Sequence, residues 1–192
     1  MLEKLPEVLG HALGVAPPGL NELVFNDAAL TEIDDGIAVS SPAFADGEAL
    51  AARFTADGEG VSPPLQWSGV PDKTAEIVVL VEDADSPTAN PLVHAIVWNL
   101  PPEDGGLDEG AMPATAQPGV RPAMGVNSYL RIGYLPPDPP QGHGPHRYAF
   151  QVFALAAHLT IETAAPGRTE LVDALRVHAL AKGMLIGTYE RV

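Results

Sequence analysis

The sequence contains no cysteine, and it is poor in basic and aromatic residues. Without cysteine the protein can form no disulfide and can bind no metal or substrate through a thiolate. Only 10 Lys and Arg stand against 25 Asp and Glu, which gives a formal net charge of −15 at pH 7. A chain this negative repels phosphate backbones and anionic membrane surfaces, so we expect no nucleic-acid partner.

Long apolar runs are missing as well. No stretch reaches the roughly 20 apolar residues that cross a bilayer, so we expect no integral membrane segment. The first residues are interrupted by Glu3, Lys4, Pro6 and Glu7, whereas a signal peptide has a continuous apolar core. These two features lead us to expect a cytoplasmic protein.

The chain has 192 residues, and 46% of them are hydrophobic, which suits one globular domain with a sizeable core. Apolar runs at 75–82, 92–100 and 147–155 predict buried strands, and the first of them lacks alternation, as expected of a strand covered on both faces. Residues 36–44 alternate between apolar and polar side chains, and residues 51–54 also look extended. No regular helix separates these runs, which favours antiparallel sheets over βαβ units.

Two helical regions flank the strands. Residues 166–183 predict a helix capped by Thr169 and closed by Lys182 and Gly183, followed by a last strand from Met184. At the other end, apolar residues recur at helical spacing. These are Leu2, Leu5, Leu9, Ala12 and Leu13. A second short helix can begin at Asn21.

We therefore predict a helical appendage over 1–35 and a β domain over 36–192. The apolar stripe of the appendage must pack on that domain or on a second copy of the chain, which would form a homodimer.

Polar residues follow the predicted strands at three places. Asp83 and Asp85 come directly after the first buried run, in a segment that suits either a plain turn or a loop holding a divalent metal. His94 lies within the next run, where it is predicted to share one face with Ile96 and Trp98.

The third place is the start of the last buried run. His146 and Tyr148 point to one side of that strand, while Arg147 points away and suits an ion pair with a carboxylate. His94, His143 and His146 can also be interpreted as metal ligands, although no helix aligns them.

These segments, taken in order, resemble the phosphatidylethanolamine-binding proteins, in the bacterial branch called Raf-kinase-inhibitor-like proteins. The resemblance covers about residues 37–191 and rests on SPAFADG, RFTADGEGVSPPLQW, DADSP, HAIVWN, PPQGHGPHRY and GTYER. It implies a mostly β fold, with a large antiparallel sheet packed with a smaller one in a Greek-key-like arrangement, and a C-terminal helix.

The resemblance also implies a small pocket for phosphate-like anions at one edge of the fold. Its predicted ligand-binding residues are Asp83, Pro87, His94, Asp138, Pro139, Pro140, His146 and Tyr148. Asp85 and Arg147 would brace the loop as structural support. Ala84 replaces a usual proline, and Asp138 stands where the family often has a small residue. The Asp138 carboxylate should disfavour a doubly charged phosphate.

The function expected from these residues is non-enzymatic binding of a small anionic or zwitterionic ligand, with a regulatory role and no cofactor. His94 and His146 can donate to a phosphate ester, more strongly when protonated, so affinity should rise as the pH falls. Two alternatives stay open. One is a hydrolase that uses His146 and Asp83 as acid and base, and the other is an interaction module that inhibits a partner protein such as a kinase or protease.

Overall fold

The structure is a computed structural model that describes residues 17–160 and 164–192. The predicted helix over residues 2–13 lies outside the described residues. Within them, eight strands form two antiparallel sheets, as the mostly β prediction requires. The small sheet has the order β1-β2-β5, with β1 Ala38–Ser40, β2 Leu65–Ser68 and β5 Gly105–Leu107.

The large sheet has the order β6-β4-β3-β7-β8. Its strands are β3 Glu76–Asp83, β4 Leu92–Leu100, β6 Ala123–Met124, β7 His146–Leu155 and β8 Ala179–Tyr189. β3 lies in the middle, and all of its side chains are buried because both faces are covered. Ile77 and Val79 pack toward Trp67 of the small sheet, while Val78 and Leu80 pack toward the helix.

The single α-helix of the described residues, α1, spans Arg168–His178, so the predicted helix over 166–183 was five residues too long at its C-terminal end. Residues 179–183 belong instead to β8 and pair with β7. Pairing along the edge of a sheet outweighs helical periodicity here, because propensity is a weak preference. The predicted Thr169 cap was also wrong. The helix begins after Gly167, whose N–H donates to Glu170 Oε2 at 3.2 Å.

Two shorter predictions also fail in the described residues. Residues 52–54 form a 3₁₀ turn and not a strand. The segment after Gly19 forms three 3₁₀ turns, at Leu20–Glu22, Val24–Asn26 and Ala28–Leu30, where a helix beginning at Asn21 was predicted. Each turn is only three residues long, and three separate short turns cannot be told from one short helix by sequence pattern alone.

These turns pack on the large sheet, and Val24 and Leu30 are buried against its helix-side face. Glu82 in β3 anchors them: its Oε2 accepts the Val24 N–H at 3.0 Å, and its Oε1 accepts from Arg168 Nε at 2.8 Å. Residues 17–35 therefore pack on the protein's own domain, while the boundary at residue 35 and the homodimer stay predictions. No helix within 17–160 and 164–192 has the length and hydrophobicity to span a bilayer.

Candidate functional site

The candidate site lies where β3 ends and β7 begins. The two strands are antiparallel, and Asp83, the last residue of β3, stands opposite Tyr148. His146 is two residues before Tyr148 and shares its side of the strand. The sheet thus brings together residues that are more than 60 positions apart in the sequence.

Asp83 and His146 form a buried pair. His146 Nδ1 lies 2.8 Å from Asp83 Oδ2, and both residues are at most 3% exposed. The other carboxylate oxygen, Oδ1, accepts the Asp85 N–H at 2.8 Å, which fixes the orientation of the carboxylate. Because a carboxylate can only accept, His146 donates its Nδ1–H to it, and Nε2 is the atom left for other contacts.

His94 joins this pair through a β-bulge in β4. Val81 pairs with Ala95 and Glu82 pairs with Val93, so the register skips His94. The extra residue turns the imidazole toward Tyr148, whose ring it meets edge-on at 5.2 Å between centroids.

The predicted shared face of His94, Ile96 and Trp98 was therefore wrong. Ile96 and Trp98 pack in the helix-side core, whereas Tyr148 belongs to the core between the sheets. Strict alternation along a strand holds only where the register is regular, and the bulge interrupts it at this residue.

The His94 imidazole has one satisfied nitrogen and one unsatisfied nitrogen. Its Nδ1 lies 2.6 Å from the Leu135 carbonyl oxygen, an acceptor, so Nδ1 carries the hydrogen. Its Nε2 is buried and has no hydrogen-bond partner. Burial lowers the pKa of His94, since it penalises the charged form, and the negative charge of Asp83 partly opposes this.

The loop after β3 is held by Asp85 and Arg147. Arg147 donates to Asp85 through Nε at 2.7 Å, through its Nη2 at 2.6 Å and through its backbone N–H at 2.9 Å. Burial pushes the pKa of the Asp85 carboxyl up, but the hydrogen bonds from Arg147 outweigh it and bring that pKa below its ordinary value. Arg147 points away from the His146 side, so the pair braces the loop without entering the site.

The proline-rich segment starts beside His94, because the Leu135 N–H donates to the His94 carbonyl oxygen at 2.8 Å. Pro139 and Pro140 are buried, and Pro87 in the opposite loop is half-buried. Asp138 is paired with Arg191. The expectation that its carboxylate disfavours a doubly charged phosphate stays a prediction.

Sequence reasoning left several contributors out of the site. These are Arg191 and the Leu135 carbonyl oxygen. His143, which the sequence suggested only as a metal ligand, lies half-buried with its ring 6.0 Å from that of His146. The terminal GTYER motif contains Arg191 and could have suggested it. Nothing local in the sequence indicates that Leu135 would supply an acceptor.

The site is tight. Its four central side chains are each at most 3% exposed: Asp83, His94, His146 and Tyr148. Any ligand that contacts them must therefore pass the less buried residues around them. Two surface depressions lie elsewhere, one of about 540 Å³ on the small sheet and one of about 420 Å³ beside residues 88–93 and 126–130. Within the described part of the chain, no group of three or more His, Asp or Glu is placed to hold a metal ion.

The order of motifs and the position of this site can be compared with known proteins. The family model described as Phosphatidylethanolamine-binding protein matches residues 40–190. The chain belongs to this family. Its membership supports a protein whose role is binding, and it accounts for the two-sheet architecture.

Relatives of this family member come from archaea and bacteria. A UPF0098 protein of Pyrococcus horikoshii is 36% identical over 152 residues, which cover 79% of this chain and 75% of the relative. A crystal structure from Chlamydia trachomatis, described as a homologue of phosphatidylethanolamine-binding proteins, is 34% identical. It superposes with a TM-score of 0.72 over 83% of this chain and 100% of its own.

YbcL of Escherichia coli, described as a member of the mammalian family, is 27% identical. It has a TM-score of 0.73 and covers 82% of this chain and 99% of its own. A Mycobacterium tuberculosis relative, 34% identical over 80% of this chain and 72% of its own, carries the name of a lipoprotein, LppC. The relatives therefore do not fix the compartment, and the cytoplasmic location stays a prediction.

Proposed function

We propose that this family member is a non-enzymatic binding protein whose site takes the phosphate group of a small anionic or zwitterionic molecule. The observation that carries the proposal is His94 Nε2, a buried polar atom without a partner beside the Asp83–His146 pair. A buried polar atom left unsatisfied costs about 1–3 kcal/mol, so native structures rarely leave one without a reason. A phosphate oxygen would satisfy it if the ring takes up a proton on Nε2 or if that oxygen carries a proton.

The arrangement offers two imidazoles to one ligand. Both Nδ1 atoms are committed, His146 to Asp83 and His94 to Leu135, so both rings are held in fixed orientations. In the protonated form each Nε2 is a donor to a phosphate oxygen, and a hydrogen bond to a charged group contributes about 1.5–3 kcal/mol.

Binding of an anion to this site is coupled to the uptake of a proton. Burial holds the pKa of His94 below its ordinary value, so at neutral pH the ring is neutral when no anion is bound. A bound phosphate supplies a countercharge, which raises the pKa of His94 in the complex. Between the lower free value and the higher bound value, binding takes up a proton, and affinity therefore increases as the pH falls.

Titration calorimetry with O-phosphoethanolamine at pH 6 and pH 8 tests this proposal. We expect binding at least about tenfold tighter at pH 6, which corresponds to about 1.4 kcal/mol. Repeating the titration at each pH in two buffers of different ionisation enthalpy should show proton uptake. Absence of heat at both pH values from folded protein, with either O-phosphoethanolamine or inorganic phosphate, would overturn the proposal.

The same geometry gives a second candidate, because a carboxylate holding a histidine is also an acid–base pair. A nucleophile is harder to find: the Ser86 hydroxyl is buried and shares a 2.6 Å hydrogen bond with the hydroxyl of Thr88. Release of inorganic phosphate from O-phosphoethanolamine, measured in the calorimetry samples, separates the two functions. Turnover that disappears in His146→Ala would establish a hydrolase, and binding without release supports the binding protein.

A further inference from the structure

One end of the candidate site is held by an arginine from beyond the last strand. Arg191 donates through Nε to Asp57 Oδ2 at 2.9 Å and through its Nη2 to Asp57 Oδ1 at 2.7 Å. The hydroxyl of Tyr189 donates to the same carboxylate at 2.8 Å. These bonds with Asp57, together with the contact to Asp138, hold the pKa of Arg191 above its ordinary value. The guanidinium is thus permanently charged and fixed in place.

The remaining edge of this guanidinium faces the proline-rich segment. Its Nη1 forms an ion pair with the Asp138 carboxylate and donates to the Pro139 carbonyl oxygen at 3.3 Å. The Arg191 carbonyl oxygen also accepts the Gly142 N–H at 3.2 Å. Prolines have no N–H with which to anchor themselves, so this wall of the site depends on contacts of this kind.

The Asp138 carboxylate lies close enough to His94 for its charge to act on a ligand bound there. It is 17% exposed and lies next to Pro139. The charged and titratable groups around the His94 imidazole are Asp83, His146 and Asp138, and the charge of Asp138 favours protonated His94, against the larger effect of burial. Without a countercharge, this carboxylate would repel an anion that approaches His94.

We propose that Arg191 determines the specificity of this site: by cancelling the charge of Asp138, it lets the rim accept an anionic group. The inference rests on the proposed binding function, since it assigns a role to Arg191 at that same site. Arg191 acts through Asp138 and Pro139 and is therefore a positioning residue.

The test compares three variants with the wild-type protein in titrations with inorganic phosphate at pH 6. Arg191→Gln should bind phosphate at least about tenfold more weakly than the wild-type protein. Adding Asp138→Asn to Arg191→Gln removes the carboxylate charge that Arg191 no longer cancels. The affinity of this double variant for phosphate should therefore return to within about threefold of wild type. Arg176→Gln is the matched control, because it removes an arginine of α1 that pairs with Asp27 and Asp173, outside the site, and its affinity should not fall.

The same variants give a readout that needs no ligand. Titration of the His94 imidazole by NMR should show a higher pKa in Arg191→Gln than in wild type, and a return toward the wild-type value in the double variant. A merely structural role would leave phosphate binding weak in the double variant and the His94 pKa unmoved by Arg191→Gln. Either result overturns the inference.

The NMR readout also separates the two proposals. Wild-type protein that binds no phosphate would refute the binding function, while the shift of the His94 pKa would still decide whether Arg191 screens Asp138.

Discussion

Replacing His146 with alanine is expected to weaken O-phosphoethanolamine binding at pH 6 by at least about 100-fold, or about 2.7 kcal/mol. Two effects act in the same direction. The variant removes a donor, which contributes about 1.5–3 kcal/mol when charged. It also leaves the carboxylate of Asp83, 3% exposed, without its ring partner at 2.8 Å, so a buried negative charge faces the anion.

Calorimetry measures this loss, and two further variants make it interpretable. His178→Ala removes a histidine at the end of α1, away from the site, and should bind as wild type does. His146→Gln keeps a donor near the same position, so its affinity should fall between those of His146→Ala and wild type. Circular dichroism checks the fold of each variant. Affinity within about threefold of wild type in folded His146→Ala would show that His146 does not bind the ligand.

The second large effect concerns stability. Gly183→Ala is expected to reduce the free energy of unfolding by about 3 kcal/mol, at the upper end of typical overpacking costs. Gly183 lies in β8, where the added Cβ would collide with the carbonyl oxygen of Ile37 and lie 2.8 Å from its carbonyl carbon. Those atoms belong to the backbone, and the Ile37 N–H donates to Lys182 at 3.2 Å, so neither side can easily move.

Urea unfolding, followed by circular dichroism, measures this change as a shift of the midpoint at an unchanged slope. Gly105→Ala is the matched control, since it lies in a strand and its added Cβ would have no heavy atom nearer than 3.7 Å. We expect it to change stability by less than about 1 kcal/mol, as surface substitutions usually do. Equal stabilities of the two variants would mean that β8 can move away from Ile37.

The two halves of the site differ in how far the sequence predicted them. Asp83 and His146 end and begin continuous apolar runs, so their places at the ends of strands follow from pattern alone. Their pairing needs the order of the strands, in which β3 lies between β4 and β7. That order depends on contacts far apart in the sequence.

His94 shows where the pattern fails even within one strand. Alternation assigned it to the face of Ile96 and Trp98, but the bulge opposite Val81 and Glu82 places it beside Tyr148. A bulge inserts one residue without changing composition, so no count of apolar and polar positions could detect it. The helix that ends at His178 also departs from the local pattern, because the residues beyond it gain more by pairing with β7 than by continuing the helix.

The sequence by itself determined the class of the fold, the strands at its centre, the family and the residues of the candidate site, because hydrophobic periodicity and ordered motifs are local properties of the chain. Only the tertiary structure decided which way His94 faces and that Arg191 compensates Asp138. Those features depend on strand register and on ion pairs between residues 53 positions apart, and such geometry exists only once the sheet has formed.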